Sequence, residues 1–278
     1  MDYNKRQQIE RDCFNQIVHE KWDGKTLFVD KEKPPFANYS GDLLDGAKKF
    51  LKKVAGKKIL EIGCGNGELS VWLAKNDADV YGVDISDESI KIAEKRSDEN
   101  NTNDRTHFYA CPAEHVPFEK DFFDVVFINV SLHHLEIDTA LKEFKRVLKS
   151  GGIIVAIEPL AFSKTIQNFR TSKFVTKLYP IRQETPTERI LLIDDLKLIE
   201  TVFCNTAFIP YRMFSPFVYK IKPLFFFLAR RFFSKEKDFE TQKEKMSRSL
   251  QKIDENLLRV FPFLKVLSRY VVIYAIKG

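Results

Sequence analysis

The sequence has no C-x-x-C pair and no long apolar run, and these absences exclude several classes of protein. Its four cysteines (Cys13, Cys64, Cys111 and Cys204) lie far apart, which argues against a zinc site and favours a reducing compartment. No uncharged apolar run reaches the ~20 residues that a helix needs to span a bilayer. The first residues are polar and lack the apolar core of a signal peptide. We therefore expect a cytoplasmic protein with no metal site.

Charge of either sign is not in great excess, so the composition does not indicate a nucleic-acid-binding protein. The chain has 45 Lys and Arg against 39 Asp and Glu, a net charge of +6. The basic residues are mixed with acids, unlike a stripe that follows a phosphate backbone. With 278 residues, 44% of them hydrophobic, the chain is large enough for one sizeable core with insertions.

The most informative segment is Lys58–Gly67, which is typical of a buried strand that runs into a glycine-rich turn. Gly63, Gly65 and Gly67 allow the backbone to approach a ligand closely. The next apolar run, residues 80–83, ends at Asp84, an acid placed to hold ribose hydroxyls. The two segments together predict a site for a nucleotide-like cofactor.

The charges around this turn favour S-adenosylmethionine (SAM) over a nicotinamide dinucleotide. The third glycine of a dinucleotide turn is replaced by Glu68, and Glu61 lies two residues before the first glycine. A carboxylate near the turn would repel a pyrophosphate. It would suit SAM, which has no phosphate and carries an ammonium and a sulfonium group.

Five motifs in order resemble those of the class I SAM-dependent methyltransferases, especially the small-molecule enzymes of ubiquinone and menaquinone biosynthesis. The resemblance covers roughly residues 55–160. The matching segments are Glu61–Gly67 with Asp84, Cys111–Phe118, Phe123–Phe127, Leu132–Leu135 and Arg146–Gly152.

The resemblance implies an α/β fold: a Rossmann-like seven-stranded sheet with helices on both faces, N-terminal helices, and a helical insertion before the last strand. It implies SAM as cofactor and S-adenosylhomocysteine as product. The cofactor-binding residues that it implies are Glu61, Gly63, Gly65, Asn66, Gly67, Asp84, Ile85, Ala113, Glu114 and Asn129.

One departure concerns the loop that flanks the adenine ring. The family usually has Asp where this chain has Pro112, which can neither accept the adenine amino hydrogen nor donate a backbone N–H. Either Glu114 takes that role, or the ring is held by the backbone of Ala113 and by packing against Phe118.

The chain divides into a core and less recognisable additions. We predict a helical cap at 1–55, with a second helix around Leu43–Leu51, and a SAM-binding core at 56–160. A lid or substrate insertion follows at 161–193, then a core helix and sixth strand at 194–214, a helical insertion at 215–269 and the last strand at 270–278. Within the core we expect strands near 57–62, 79–83, 106–110, 123–129 and 152–158, and a helix at 138–149 that Gly151 and Gly152 end. We also expect Ser86 to cap the helix that follows the second strand.

His133 and His134 are the candidate catalytic bases, because they follow the fourth strand at its carboxyl end and histidine titrates near neutral pH. We favour His134 slightly. The alternative is that one of them caps the next helix or fixes the loop. Arg182 and Glu188, and Tyr211, are candidate substrate-side residues, although the first two could equally belong to a solvated loop.

Residues 211–233 mix aromatic side chains with Lys and Arg. Such a segment suits a peripheral contact with the inner face of the membrane, an apolar substrate pocket, simple packing onto the core, or a contact within an oligomer.

The leading functional hypothesis is methyl transfer to a small-molecule acceptor, with an oxygen nucleophile on an apolar, lipid-linked or secondary-metabolite compound. One alternative is a nucleic-acid methyltransferase, but Asn129-Val130-Ser131-Leu132 replaces the Asn/Asp-Pro-Pro-aromatic motif of base methylation. Another is a non-catalytic SAM-binding partner subunit.

Overall fold

The computed structural model describes residues 3–22, 24, 26–32, 35, 47, 54–172, 185–211, 249–250 and 252–278. Among these residues no helix is long and apolar enough to cross a membrane. The helices are α1 (Tyr3–Lys21), α2 (Glu68–Lys75), α3 (Asp87–Glu99), α4 (Ile137–Val147), α5 (Lys164–Arg170) and α6 (Ile193–Val202), and residues 252–260 are also helical. The strands are β1 (Lys58–Ile62), β2 (Asp79–Asp84), β3 (Thr106–Ala110), β4 (Phe123–Asn129), β5 (Leu148–Ala161), β6 (Leu191–Leu192), β7 (Cys204–Tyr211) and β8 (Tyr270–Ile276).

The central sheet has the strand order β3-β2-β1-β4-β5-β8-β7. Strands β1 to β5 pair in parallel, whereas β8 is antiparallel to both β5 and β7. The two-residue strand β6 pairs off this path with the end of β5. The predicted Rossmann-like, seven-stranded α/β fold is therefore confirmed.

Helix α4 illustrates why helices cover the faces of this sheet. Ile137, Ala140, Leu141 and Phe144 recur at helical spacing and are all buried. They pack with residues of β4 and β5 into one of two core clusters. The strands between the helices are apolar almost throughout, as expected of a parallel sheet buried on both faces.

The structure confirms one predicted helix boundary and contradicts another. Ser86 caps α3 as predicted, since its hydroxyl accepts from the backbone N–H of Ser89 at 3.0 Å. The prediction that Gly151 and Gly152 end α4 was wrong. The helix ends at Val147 because Leu148 already pairs with Phe123, and the two glycines lie within β5, next to a register shift. Gly151, at φ +72°, lets the strand bulge there.

The carboxyl ends of the parallel strands meet at one edge of the sheet, and α1 lies across that edge. Arg11 donates to the carbonyl of Ile85 at 3.2 Å, and the Ser86 hydroxyl donates to the side chain of Asn15 at 2.7 Å. The expected N-terminal cap thus includes a helix that lies over the carboxyl edge of the sheet. Apart from Ala47, the second predicted helix lies outside the described residues.

Candidate functional site

A cavity of about 310 Å³ lies between α1 and the carboxyl edge of the sheet. Nine of the ten predicted cofactor residues line it; the exception is Gly67. The lining consists of Glu61–Asn66, Glu68, Leu69, Val83–Ile85, Ser89, Cys111–Glu114, Asn129–Ser131, His134 and Leu135, together with Arg6, Gln7, Glu10 and Phe14 of α1.

The three glycines of the turn serve different purposes, although each has a positive φ. A Cβ atom on Gly63 would lie 2.1 Å from the Ser131 hydroxyl, and one on Gly67 would lie 2.7 Å from the Cβ of Ala93. These two positions allow close packing of turns and helices. A Cβ on Gly65 would meet no protein atom within 4 Å, so this glycine borders open space in the cavity.

Asp84 is built into the turn by two backbone donors. One of its carboxylate oxygens accepts from the N–H of Gly65 at 2.8 Å and the other from the N–H of Ser86 at 2.9 Å. Burial raises the pKa of Asp84, while these hydrogen bonds oppose the rise. Because a carboxylate has about four acceptor positions, each oxygen can still accept a ligand hydroxyl.

Glu61 is a buried acid on the cavity wall. The hydroxyl of Ser70 donates to its carboxylate. Burial, with a smaller contribution from the charge of Asp84, raises the pKa of Glu61 to about 8, although the Ser70 hydrogen bond opposes the shift. A cation placed in the cavity would favour the ionised form of this group.

The raised pKa of Glu61 makes stability fall as the pH rises. The pKa of Glu61 in the folded state lies above the ordinary value of 4.5, so the folded state binds this proton more tightly than the unfolded state. The resulting stabilisation is fully present below pH 4.5 and is lost as the pH approaches 8. We expect Glu61→Gln to remove this dependence, so the difference in unfolding free energy between the variant and the wild type should shift in the variant's favour by about 4 kcal/mol from pH 4.5 to pH 8. Urea denaturation at several pH values, without ligand, measures the difference. Parallel curves for the two proteins would contradict the shift.

The turn after β4 carries an unpaired polar atom and an unusual backbone. Asn129 Oδ1 is buried and has no hydrogen-bond partner among the described residues. Val130 has φ +56°, which is uncommon for a β-branched residue, and its side chain faces the cavity. The buried carboxylate of Glu158 holds the turn by accepting from the N–H groups of Ser131 and Leu132 at 2.9 and 2.8 Å. Such strain, held by its surroundings, is typical of functional sites.

His133 does not line the cavity and lies between two carboxylates, the buried Glu158 and the partly exposed Glu188. Its Nδ1 lies 2.7 Å from Glu158 Oε2, and its Nε2 lies 3.7 Å from Glu188 Oε1. Burial lowers the pKa of His133, but the hydrogen bond to Glu158 and the nearby negative charges outweigh it, so the pKa is raised. His133 is thus arranged as one half of a structural ion pair.

His134 lines the cavity and has a carboxylate partner on α1. Its Nδ1 lies 3.3 Å from Glu10 Oε2, and the ring packs edge-on against Phe14. The other oxygen of Glu10 accepts from the hydroxyls of Thr185, at 3.0 Å, and Thr187. Burial raises the pKa of Glu10, but these hydrogen bonds and the histidine lower it overall, so Glu10 is a carboxylate at neutral pH.

The remaining predicted residues are not all brought to the cavity. Glu188 lies beside His133, behind the cavity wall. Tyr211 is buried at the end of β7 and does not line the cavity, and Arg182 lies outside the described residues.

The loop with Pro112 bears on the two predicted ways of holding the adenine ring, by Glu114 or by the Ala113 backbone with Phe118. The Glu114 carboxylate already accepts from the N–H of Glu136 at 3.0 Å and from the amide of Gln7 at 3.5 Å. The ring of Phe118 packs against those of Tyr81, Tyr109, Phe122 and Phe123 rather than lining the cavity. Glu114, which lines the cavity and has acceptor positions left, and the backbone of Ala113 therefore both stay candidates for the adenine edge.

Sequence reasoning missed Glu10, Glu158 and Thr185. Glu158 had a detectable signal, since it is the first acid after five apolar residues of β5. Glu10 and Thr185 had none, because they come together from positions 175 residues apart. Among the described residues, no group of three or more His, Cys, Asp or Glu could hold a metal ion.

Known proteins resemble this chain mainly over its core. Residues 60–156 match the family model of the methyltransferase domain. The chain is 28% identical over 172 residues to methyltransferase GfsG of Streptomyces halstedii, covering 61% of this chain and 60% of that protein. It is 32% identical over 146 residues to 27-O-demethylrifamycin SV methyltransferase of Amycolatopsis mediterranei (51% and 53%). It is 34% identical over 158 residues to the ubiquinone biosynthesis O-methyltransferase of Psychrobacter cryohalolentis (52% and 61%). The matches thus span only half to three fifths of these relatives.

Solved structures share the fold at low sequence identity. Geranyl diphosphate C-methyltransferase from Streptomyces coelicolor, crystallised with S-adenosyl-L-homocysteine, aligns with a TM-score of 0.58 and 17% identity over the whole of both chains. The [4+2]-cyclase SpnF aligns with a TM-score of 0.55 and 19% identity over 85% of this chain and 80% of that one. The matched model, the sheet order and the glycine turn together identify residues 60–156 as a methyltransferase domain of the class I SAM-dependent type.

Proposed function

We propose that this protein transfers the methyl group of SAM to an oxygen nucleophile on an apolar small molecule. The observation that carries the proposal is a convergence in one cavity: the glycine turn and Asp84 on one side, and the His134–Glu10 pair on the other. A cofactor site and a candidate base therefore face the same space.

The residues present fit SAM. Asp84 can accept the ribose hydroxyls, and the backbone of Ala113 can meet the adenine edge. Glu61 and the unpaired Asn129 Oδ1 offer negative charge and an acceptor to the cationic methionine end. When bound, SAM supplies an electrophilic methyl group on its sulfonium.

In the proposed mechanism His134 removes the proton of the acceptor hydroxyl. Glu10 Oε2 lies 3.3 Å from Nδ1, and its negative charge favours a proton on that nitrogen, which leaves Nε2 free to accept the proton of the acceptor. The same carboxylate stabilises the imidazolium that forms. His133 is a poorer candidate, since it does not line the cavity and its raised pKa favours the protonated form.

The acceptor side supports an apolar small molecule. Phe14, Val130 and Leu135 line the cavity together with the polar groups. Two of the relatives carry names that specify methylation at oxygen, on a rifamycin and in ubiquinone biosynthesis. The shared fold alone does not establish methyl transfer, because SpnF is named as a cyclase.

Methyl-labelled SAM, incubated with purified protein and cell extract, tests the proposal. We expect label in the organic-extractable small-molecule fraction, and none there with His134→Ala. Label confined to RNA, DNA or protein would contradict it. If no fraction is labelled although S-adenosylhomocysteine binds, either the extract lacks the acceptor or the protein is a non-catalytic SAM-binding subunit.

A further inference from the structure

The helical residues 252–260 end in an exposed apolar patch, Val260–Phe263, that no described residue covers. Val260, Phe261 and Phe263 are 66%, 44% and 68% exposed. The two phenylalanine rings contact each other edge-on at 6.0 Å between centroids, and Pro262 between them is also exposed. Ile253, seven residues before Val260 and therefore on the same helical face, is 48% exposed.

Three exposed cations lie close to this patch in the sequence. Lys252, Arg259 and Lys265 are exposed, and within the described part of the chain none of them makes an ion pair. The exposed acid nearby is Glu255. Aromatic side chains can enter the acyl region of a bilayer while neighbouring cations bind its headgroups. This combination therefore suits the surface of an anionic lipid bilayer.

The strand that follows the patch begins at the same edge of the sheet as the cavity. The chain enters β8 at Tyr270, which pairs with Pro159 near the carboxyl end of β5. The N–H of Leu160 donates to the carbonyl of Arg269 at 3.0 Å, so the residue before β8 is also held at that edge. The segment that joins the patch to β8 is therefore held at the cavity edge of the sheet.

We propose that the Val260–Phe263 patch binds the surface of an anionic lipid bilayer, with the two phenylalanines inserted below the headgroups and Arg259 and Lys265 on the phosphates. A second copy of the chain is a poorer occupant. A symmetric contact of the patch with itself would set cations against cations. The proposal differs from the sequence-based one, whose segment 211–233 lies, except for Tyr211, outside the described residues. It does not depend on methyl transfer.

Co-sedimentation of the full chain with vesicles tests the proposal, using phosphatidylcholine mixed with phosphatidylglycerol and, separately, phosphatidylcholine alone. We expect Phe263→Ser to weaken binding to the anionic vesicles about tenfold. Arg259→Gln with Lys265→Gln should weaken it about thirtyfold at low salt and much less at high salt. Phe28→Ser is the matched control, because Phe28 is 67% exposed beside Lys75 at the end of α2. It should bind like the wild type.

Three outcomes would overturn the proposal: a wild type that stays in the supernatant, equal losses for Phe263→Ser and Phe28→Ser, or a concentration-dependent dimer, without lipid, that Phe263→Ser dissociates. Binding of S-adenosylhomocysteine by each variant is measured alongside. Because vesicle binding is read without turnover, failure of this proposal and failure of the proposed enzyme activity remain distinguishable.

Discussion

Replacing His134 with asparagine should lower kcat by roughly 10²–10⁴, the usual contribution of a positioned general base. Asparagine removes the titrating nitrogen but retains a hydrogen-bonding side chain near Glu10. Because Asp84 and the glycine turn are untouched, the affinity for S-adenosylhomocysteine should stay close to that of the wild type. Single-turnover methyl transfer and calorimetric binding measure the two quantities separately.

His133→Asn is the matched control, since the neighbouring histidine differs in its surroundings and not in its chemistry. It is buried against Glu158 and Glu188, so its loss removes the charged partner of the buried Glu158 carboxylate and should reduce stability more than kcat. If His133→Asn abolishes turnover in a folded protein while His134→Asn does not, the base is His133. If neither variant loses tenfold in kcat, no histidine here is the base.

Glu10→Gln separates orientation from proton transfer. Glutamine can present its NH₂ group to Nδ1, which lies 3.3 Å from Glu10 Oε2 in the wild type, and so favour the tautomer with the proton on Nε2. We expect a smaller fall in kcat than for His134→Asn, with a displaced pH–rate profile. A purely structural role for Glu10 would lower stability and leave the profile in place.

Gly65→Ala should weaken binding of SAM and S-adenosylhomocysteine about a hundredfold without unfolding the protein. No protein atom lies within 4 Å of the added methyl group, so the space that it takes is cavity space. The cost to the fold is limited to the left-handed backbone at φ +51°, about 1–2 kcal/mol.

Gly151→Ala isolates that backbone cost. Gly151 has φ +72°, its added Cβ also meets nothing within 4 Å, and it lies in β5 near the strand end opposite the cavity. Both variants should lose similar stability, but Gly151→Ala should bind cofactor normally. Equal loss of binding in both would mean that strain, and not a filled cavity, explains the effect. Gly63→Ala should instead disrupt the turn, because its Cβ would overlap the Ser131 hydroxyl.

The features that the sequence predicted correctly depend on local patterns. Apolar runs placed the five parallel strands and the last antiparallel one, and Ser86 marked the start of α3, because periodicity and capping act over a few residues. The spacing of the glycines and the position of Asp84 predicted the cofactor site at the carboxyl edge of the sheet for the same reason. The boundary at Gly151 and Gly152 failed because strand pairing of Leu148 with Phe123, a long-range contact, overrode the local turn signal.

Tertiary structure alone decided which histidine faces the cavity. His133 and His134 are adjacent and chemically identical in the sequence, yet the turn held by Glu158 directs one ring into a buried ion pair and leaves the other lining the cavity. Their carboxylate partners come from α1, from the end of β5 and from the segment before β6. The sequence by itself therefore determined the fold and the cofactor edge, which follow from short-range patterns. Only the packed structure, which joins residues far apart in the chain, decided the arrangement of the candidate base.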